Sequence, residues 1–253
     1  MIQILTRREI AGRYRGSLLG SMWSLMTPLL MLGVYTLVFG VVLPARWPGS
    51  ADAGIGMVAL RLFSGILMHG LLAESLNMAP TLVVSQPNYV NKVVFPLEVL
   101  GWIKLLAALT QLSIALALLI VANGLVGTGF AAPQLALPLL VLPYAALLLG
   151  LTWLFAALGV YIRDLAQLVG PLVMMTMFLG PVFFPRAAMP AALQPWLVLN
   201  PLTIPIEQLR IIVFEGRWPD WYVLGAYSLA AATIYLFGLW TFATLKKGFA
   251  DVI

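Results

Sequence analysis

Apolar residues along this chain gather in long runs, and the polar and proline-rich breaks between them are short. Such runs cover 20–43, 57–84, 97–126, 135–162, 165–184 and 223–245. Each reaches the roughly 20 residues that a helix needs to cross the hydrocarbon of a bilayer. The pattern therefore predicts an all-α polytopic membrane protein, a single domain over 1–253 with six transmembrane helices. The breaks differ in kind. A turn-rich stretch, 45–56, follows Pro44, and the link 124–133 carries no charge. The stretch 85–96 is polar, holds Pro87 and Pro96, and is long enough for a short helix. Arg163-Asp164 makes a tight charged turn. The stretch 185–222 is too polar and proline-rich to span, yet it contains the apolar pieces 191–199 and 204–214. Pieces that short fit half-inserted or re-entrant helices.

The segment 1–17 reads as an interfacial helix. At about 100° per residue, Ile4, Ile10, Ala11, Tyr14 and Leu18 fall on one arc, flanked by Arg8 and Arg15. Arg7 lies inside that arc, and its long stem can snorkel to headgroups. A plain basic flank with no helix of its own is the alternative. The apolar run beyond it is too long for a cleavable signal and lacks a small-residue cleavage pattern, so it reads as a retained first span. With the N-terminus inside, the cytoplasmic cations are Arg7, Arg8, Arg13, Arg15, Lys92, Lys104, Arg163, Lys246 and Lys247. The outer set is smaller: Arg46, Arg61, Arg186, Arg210 and Arg217. That bias puts both termini in the cytoplasm. Trp47, Trp196, Trp218 and Trp221 then belong to the outer interface, and Trp23, Trp102 and Trp240 to the inner one.

Composition agrees. The 253 residues are 62% hydrophobic and 9% charged, against about 25% charged in a soluble domain. The net charge of +5 sits near segment ends, an orientation signal and not a nucleic-acid patch. Without cysteine there is no disulfide framework, thiolate metal site or thiol nucleophile.

No phosphate-cradling G-x-x-x-x-G-K-[ST] loop and no H-E-x-x-H motif occurs, and His69 is the single histidine, which excludes a Ser-His-Asp triad. The expectation is therefore no catalytic residue and no metal site. Span two is the most polar, with Arg61, His69, Glu74 and Asn77. Intramembrane polar groups are candidates for function. Glu74 and His69 could form a proton relay, or Glu74 could bond a neighbouring helix or line a wet cavity. Lys104 and Glu98 read as interfacial. Tyr35 and Phe39 share a face of span one, and Phe178, Phe183 and Phe184 lie along span five. Such rings either stack on sugars along a path or pack against lipid and helices. Pro181 and Pro185 bend or end span five. The 85–96 loop either contacts a peripheral subunit or is a passive connector.

Several short motifs, in order, carry a family resemblance. They are Arg8-Glu9-Ile10 with Arg13-Tyr14-Arg15, Leu19-Gly20 with Trp23 and Pro28, Val94-Phe95-Pro96, Arg163-Asp164, Pro181 with Phe184-Pro185, Asn200-Pro201, and the ending Lys246-Lys247-Gly248-Phe249-Ala250-Asp251. Over nearly its whole length the chain resembles ABC-2 type transporter permeases, in particular the polysaccharide exporters for O-antigen, capsule and teichoic acid. The resemblance implies a homodimer bound to two copies of an ABC ATPase subunit, with ATP and magnesium on that partner and no cofactor on this chain. It implies a bacterial inner-membrane permease that exports a polymer on undecaprenyl diphosphate or a similar lipid, with membrane lipids and no nucleic acid among its partners.

For individual residues, the resemblance makes Gln86, Pro87, Asn88, Tyr89, Asn91 and Lys92 a coupling helix that docks in the ATPase. Spans one and five of both protomers would line the channel, which brings in Tyr35, Phe39, Phe178, Phe183 and Phe184. The stretch 185–214 would be a pair of outer re-entrant helices. Arg7, Arg8, Arg13 and Arg15 would sit at the cytoplasmic mouth as anchors, Arg13 and Arg15 also as contacts for a lipid diphosphate headgroup. Two features depart from the pattern. Ser64-Gly65 is followed by Ile66-Leu67-Met68-His69-Gly70 and not by proline and aromatics, and Thr27-Pro28 stands where capsule permeases often have Glu-Pro. The second favours the O-antigen branch over capsule or teichoic acid. An ATP-independent carrier or lipid scramblase, and a membrane-embedded enzyme, are the readings from other classes.

Overall fold

The computed structural model describes residues 1–38, 55–91, 95–192 and 194–253. Among them every regular element is helical: α1 (Ile2–Arg13), α2 (Trp23–Leu37), α3 (Ile55–Asn77), α4 (Pro87–Asn91), α5 (Glu98–Val126), α6 (Leu137–Tyr161), α7 (Leu165–Phe178), α8 (Thr203–Phe214), α9 (Trp221–Leu245) and α10 (Phe249–Val252). Short 3-10 turns join several of them.

Among the described residues four stretches are long and apolar enough to cross a membrane: Gly56–Thr81, Glu98–Val126, Ala132–Tyr161 and Trp221–Val252. They correspond to expected spans two, three, four and six. The other two expected spans are shorter as described. α2 has 15 residues, and residues 39–54 beyond it lie outside the described ones. α7 has 14 residues, about 21 Å of helix against about 30 Å of hydrocarbon. Pro181 accounts for its early end. A proline lacks the N–H the next turn needs and drives the residue before it out of the helical region. Other ends are also shorter than expected. α1 stops at Arg13, ahead of a Gly16 with φ +85. α3 stops at Asn77, before the Pro80-bearing turn Ala79–Thr81. Of the two apolar pieces in 185–222, the second forms α8, while the first yields only the turn Trp196–Leu199.

α3 and α6 form the centre. α3 packs against α2, α5, α6, α7 and α8, and α9 lies along α6. The α6–α9 crossing depends on two glycines. A Cβ on Gly238 would lie 2.0 Å from the Gly150 carbonyl oxygen, and one on Gly150 would lie 2.5 Å from that of Ile234. Small residues at a crossing let backbones approach where lipid offers no competing hydrophobic drive. Gly159 admits the Pro80 backbone in the same way, with a would-be Cβ 2.1 Å from its oxygen. Trp153, fully buried, donates its Nε1–H to the Glu98 carbonyl at 3.0 Å. The buried Tyr144 hydroxyl donates to the Met68 carbonyl at 2.8 Å. Asn123 joins the far end of α5 to α8, its Nδ2 donating to the Val213 carbonyl at 3.0 Å and the Gly129 carbonyl at 3.1 Å.

Candidate functional site

Of the expected arc, Ile4, Ala11 and Leu18 are exposed, Ile4 at 72%, whereas Ile10 and Tyr14 are half-buried and Leu18 lies beyond the end of α1. Several polar groups of this segment face the bundle. Glu9 accepts from Lys104 Nζ of α5 at 2.5 Å, and Arg13 forms an ion pair with Glu74 of α3. Tyr14 donates to Gln111 Oε1 at 3.1 Å, and Gln111 Nε2 donates to the Ser24 carbonyl at 2.7 Å.

A cavity of ≈ 540 Å³ opens between α1, α4 and the start of α5. Arg8, Glu9 and Arg13 line it from α1, Gln86 and Tyr89 from the α4 region, and Lys104 from α5. Residues expected in two separate roles, headgroup contact and ATPase coupling, thus share one space. Gln86, Pro87 and Asn88 are exposed, and Tyr89 stacks on Phe95 with centroids 4.6 Å apart. Lys92 and the side chain of Asn91 lie outside the described residues. Arg7 and Arg15 are exposed on α1 and just beyond it. Glu74 and His69 do not meet: His69 Nε2 lies 3.2 Å from the Val173 carbonyl of α7, and Glu74 is engaged by Arg13. Glu98 pairs with Lys246 at the start of the C-terminal tail.

The opposite end of the bundle is organised by Arg210 on α8. Its Nη1 donates to the Pro181 carbonyl at 2.6 Å, and its Nη2 to the carbonyls of Val182 at 2.9 Å and Arg61 at 3.1 Å. The first two acceptors belong to the irregular chain after α7, and the third belongs to α3. Asn200 adds to this, donating to the Thr176 carbonyl of α7 at 2.8 Å while its Oδ1 accepts from Leu202 N at 3.0 Å. Together these two side chains satisfy carbonyls at the end of α7 and on the irregular chain just beyond it. Gly65 admits the segment, since a Cβ there would lie 2.9 Å from the Val182 oxygen.

A cavity of ≈ 510 Å³ adjoins Arg210, lined also by Arg61, Arg186, Glu207, Glu215 and Tyr222. Burial pushes the Glu207 carboxyl up against the pull of Arg186 and Arg210. Burial draws the Arg210 guanidinium down to about 9, opposed by Glu207. α9 starts at this end, where Asp220 Oδ1 accepts from Tyr222 N and Val223 N at 3.0 and 3.1 Å. Exposed Trp196, Trp218 and Trp221 lie at this end, and Trp23 and Trp240 are exposed too. Trp102 is instead half-buried, edge-on to Trp153. Trp47 lies outside the described residues.

Of the expected channel aromatics, Phe178 and Phe183 come together with centroids 5.9 Å apart. Phe178 and Phe184 are exposed, and Phe183 is half-buried. Tyr35 is half-buried on α2, which like α7 packs against α3. Phe39 lies outside the described residues. The residues that sequence reasoning passed over are Glu9, Lys246 and Arg210. A signal existed for Arg210, which with Glu207 puts two charges inside an otherwise apolar segment. Among the described residues no group of three or more His, Asp or Glu side chains is disposed to hold a metal ion.

A family model described as ABC-2 type transporter matches residues 1–214. An O-antigen export system permease protein, RfbA, of Myxococcus xanthus is 29% identical over 255 residues, covering 98% of this chain and 94% of the relative. Two Klebsiella pneumoniae proteins of the same description are 21% and 22% identical, each covering all of this chain and 95% of their own.

Proposed function

This chain belongs to the ABC-2 type transporter family, and from that premise we propose that it is the membrane permease of an ATP-driven exporter of lipid-linked O-antigen polysaccharide. The observation that carries the reading is the end-to-end match to O-antigen export permeases of two genera. The absence of a phosphate-cradling loop from the sequence supports assigning ATP and magnesium to a separate ATPase subunit. The chain is then a transport subunit and not an enzyme.

In this reading two permeases associate with two ATPases in the inner membrane, with six spans per permease and both termini cytoplasmic. α2 and α7, each continued by non-helical or undescribed chain, complete the first and fifth spans. Gln86–Asn91 is the coupling helix, and α8 with its preceding turn is the outer re-entrant segment. Tyr35, Phe39, Phe178, Phe183 and Phe184 face the polymer. Arg7, Arg8 and Arg15 meet lipid headgroups. Arg13 divides its charge between that role and Glu74.

The test is reconstitution with the cognate ATPase. Substituting Gln86, Asn88 and Tyr89 together by alanine is expected to abolish both ATPase co-purification and export. Retention of both would remove the coupling assignment, and full export with the ATPase left out would remove the exporter reading itself.

A further inference from the structure

α4 is too short to hold its own shape. It has five residues, whereas isolated helices under about 12 residues are marginal even with ideal sequences. Its position must come from its neighbours. On the α1 side there is the ≈ 540 Å³ cavity, lined by Gln86 and Tyr89, and so little packing. Elsewhere Tyr89 and Val90 of α4 pack against the core, Tyr89 also on Phe95, and α4 meets α10, the last helix described.

α10 is itself only four residues, Phe249–Val252, but it is fixed in three ways. The Phe249 ring is fully buried, edge-on to Phe242 of α9 with centroids 5.6 Å apart, and 6.1 Å from Tyr161 of α6. Tyr161 donates its hydroxyl to the Leu245 carbonyl at 2.9 Å, holding the end of α9 against the end of α6. Lys246 pairs with Glu98 at the start of α5. The turn between α9 and α10 passes close to Tyr161, since a Cβ on Gly248 would lie 2.6 Å from its hydroxyl.

We propose that α10 is the buttress of α4, with Phe249 the positioning residue that links α4 to the transmembrane helices α6 and α9. The proposal rests on the reading of α4 as the ATPase-docking helix. A push or twist on α4 is resisted by α10, and α10 is bolted to the α6–α9 pair whose glycine crossing makes it one rigid unit. Motion of the ATPase therefore reaches α6 and α9 through the C-terminal tail as well as through the chain leading from α4 into α5.

The chain has no cysteine, so Ser85→Cys, exposed just ahead of α4 and outside the docking residues Gln86–Asn91, carries a nitroxide label that leaves the docking face free. The measurement is made on the permease–ATPase complex in nanodiscs, by label mobility and by polymer exported per ATP hydrolysed. Phe249→Ala is expected to add a mobile component to the label spectrum and to lower export per ATP, with the ATPase still bound. Phe249→Leu, which refills most of the site, is expected to restore both. Lys246→Gln loosens the tail without emptying the core, and is expected to move both readouts in the same direction by less. It decides the matter if Phe249→Ala does not assemble. An immobile label in both Phe249→Ala and Lys246→Gln overturns the buttress, whatever export does. A mobilised label with export per ATP unchanged overturns the role in coupling. If alanine at Gln86, Asn88 and Tyr89 also leaves ATPase binding intact, the fault lies in the α4 assignment and not in the buttress.

Discussion

Arg210 is the side chain with the most structure resting on it. Its guanidinium donates to carbonyls on α3 and on the chain after α7, and Lys cannot reproduce the planar fork that reaches both. Arg210→Met keeps the bulk and leaves the Pro181 and Val182 carbonyls without this donor, while the Arg61 carbonyl keeps the Ser64 hydroxyl; each buried group left unsatisfied costs about 1–3 kcal/mol. We expect a loss of at least about 2 kcal/mol, with Arg210→Lys intermediate, read by thermal unfolding of the purified protein; an unchanged melting temperature in Arg210→Met would show that water takes over. The Arg13–Glu74 pair is weaker, with side chains 27% and 33% exposed. For a pair this wet about 0.5 kcal/mol is expected. Arg13→Glu should destabilise and the swap Arg13→Glu with Glu74→Arg should recover it, a coupling that a double-mutant cycle measures. Sequence singles out Arg13 as a site residue but not Arg210, and it identifies the partners of neither. The acceptors of Arg210 are backbone oxygens, which have no residue signature, and Glu74 is far from Arg13 along the chain.

At the scale of elements, α3, α5, α6 and α9 were legible because a run of apolar residues of membrane length has few other outcomes. α7 was legible only in part. Its apolar run continues to Phe184, but the backbone leaves the helix after Phe178 because of Pro181, and the loss is tolerable only because Asn200 and Arg210, remote in sequence, meet the freed carbonyls. The arc expected on α1 divides: Ile4 and Ala11 are exposed, while Ile10 and Tyr14 are half-buried. Which way α1 turns depends on Glu9 and Arg13 finding Lys104 and Glu74, and periodicity carries no such information. The α6–α9 crossing gives a sharp test. Gly238→Ala puts a methyl 2.0 Å from the Gly150 oxygen, so the helices must separate. Overpacking of this kind costs about 1–3 kcal/mol. Gly225→Ala on the same helix meets nothing within 4 Å and is expected to be neutral or slightly stabilising through helix propensity. Equal melting temperatures for the two variants would mean that α9 does not lie on α6 as described.

For the whole molecule the two ends of the bundle differ in chemistry. One end gathers α1, α4 and α10 with Arg7, Arg8, Arg13, Arg15, Lys246 and Lys247, and the other gathers α8, the start of α9 and the exposed Trp218 and Trp221. The excess of basic residues at the first end predicts that it is cytoplasmic. Single-cysteine scanning tests this on a clean background, since the chain contains none. Arg217→Cys, next to Trp218, should react with a membrane-impermeant maleimide in intact cells whose outer membrane has been opened. Asn88→Cys and Ala250→Cys should react only after the inner membrane is broken. Neutralising Arg7, Arg8, Arg13 and Arg15 together removes four of the basic residues that orient the first span, and should yield a mixed population in which Asn88→Cys also becomes reactive from outside. Asp251 and Glu98 would not compensate, because orientation depends on the basic residues and hardly responds to acidic ones. If the quadruple variant keeps the wild-type labelling pattern, orientation is set by the tail cations Lys246 and Lys247 or by Arg163, and the α1 arginines serve the headgroups and Glu74 alone.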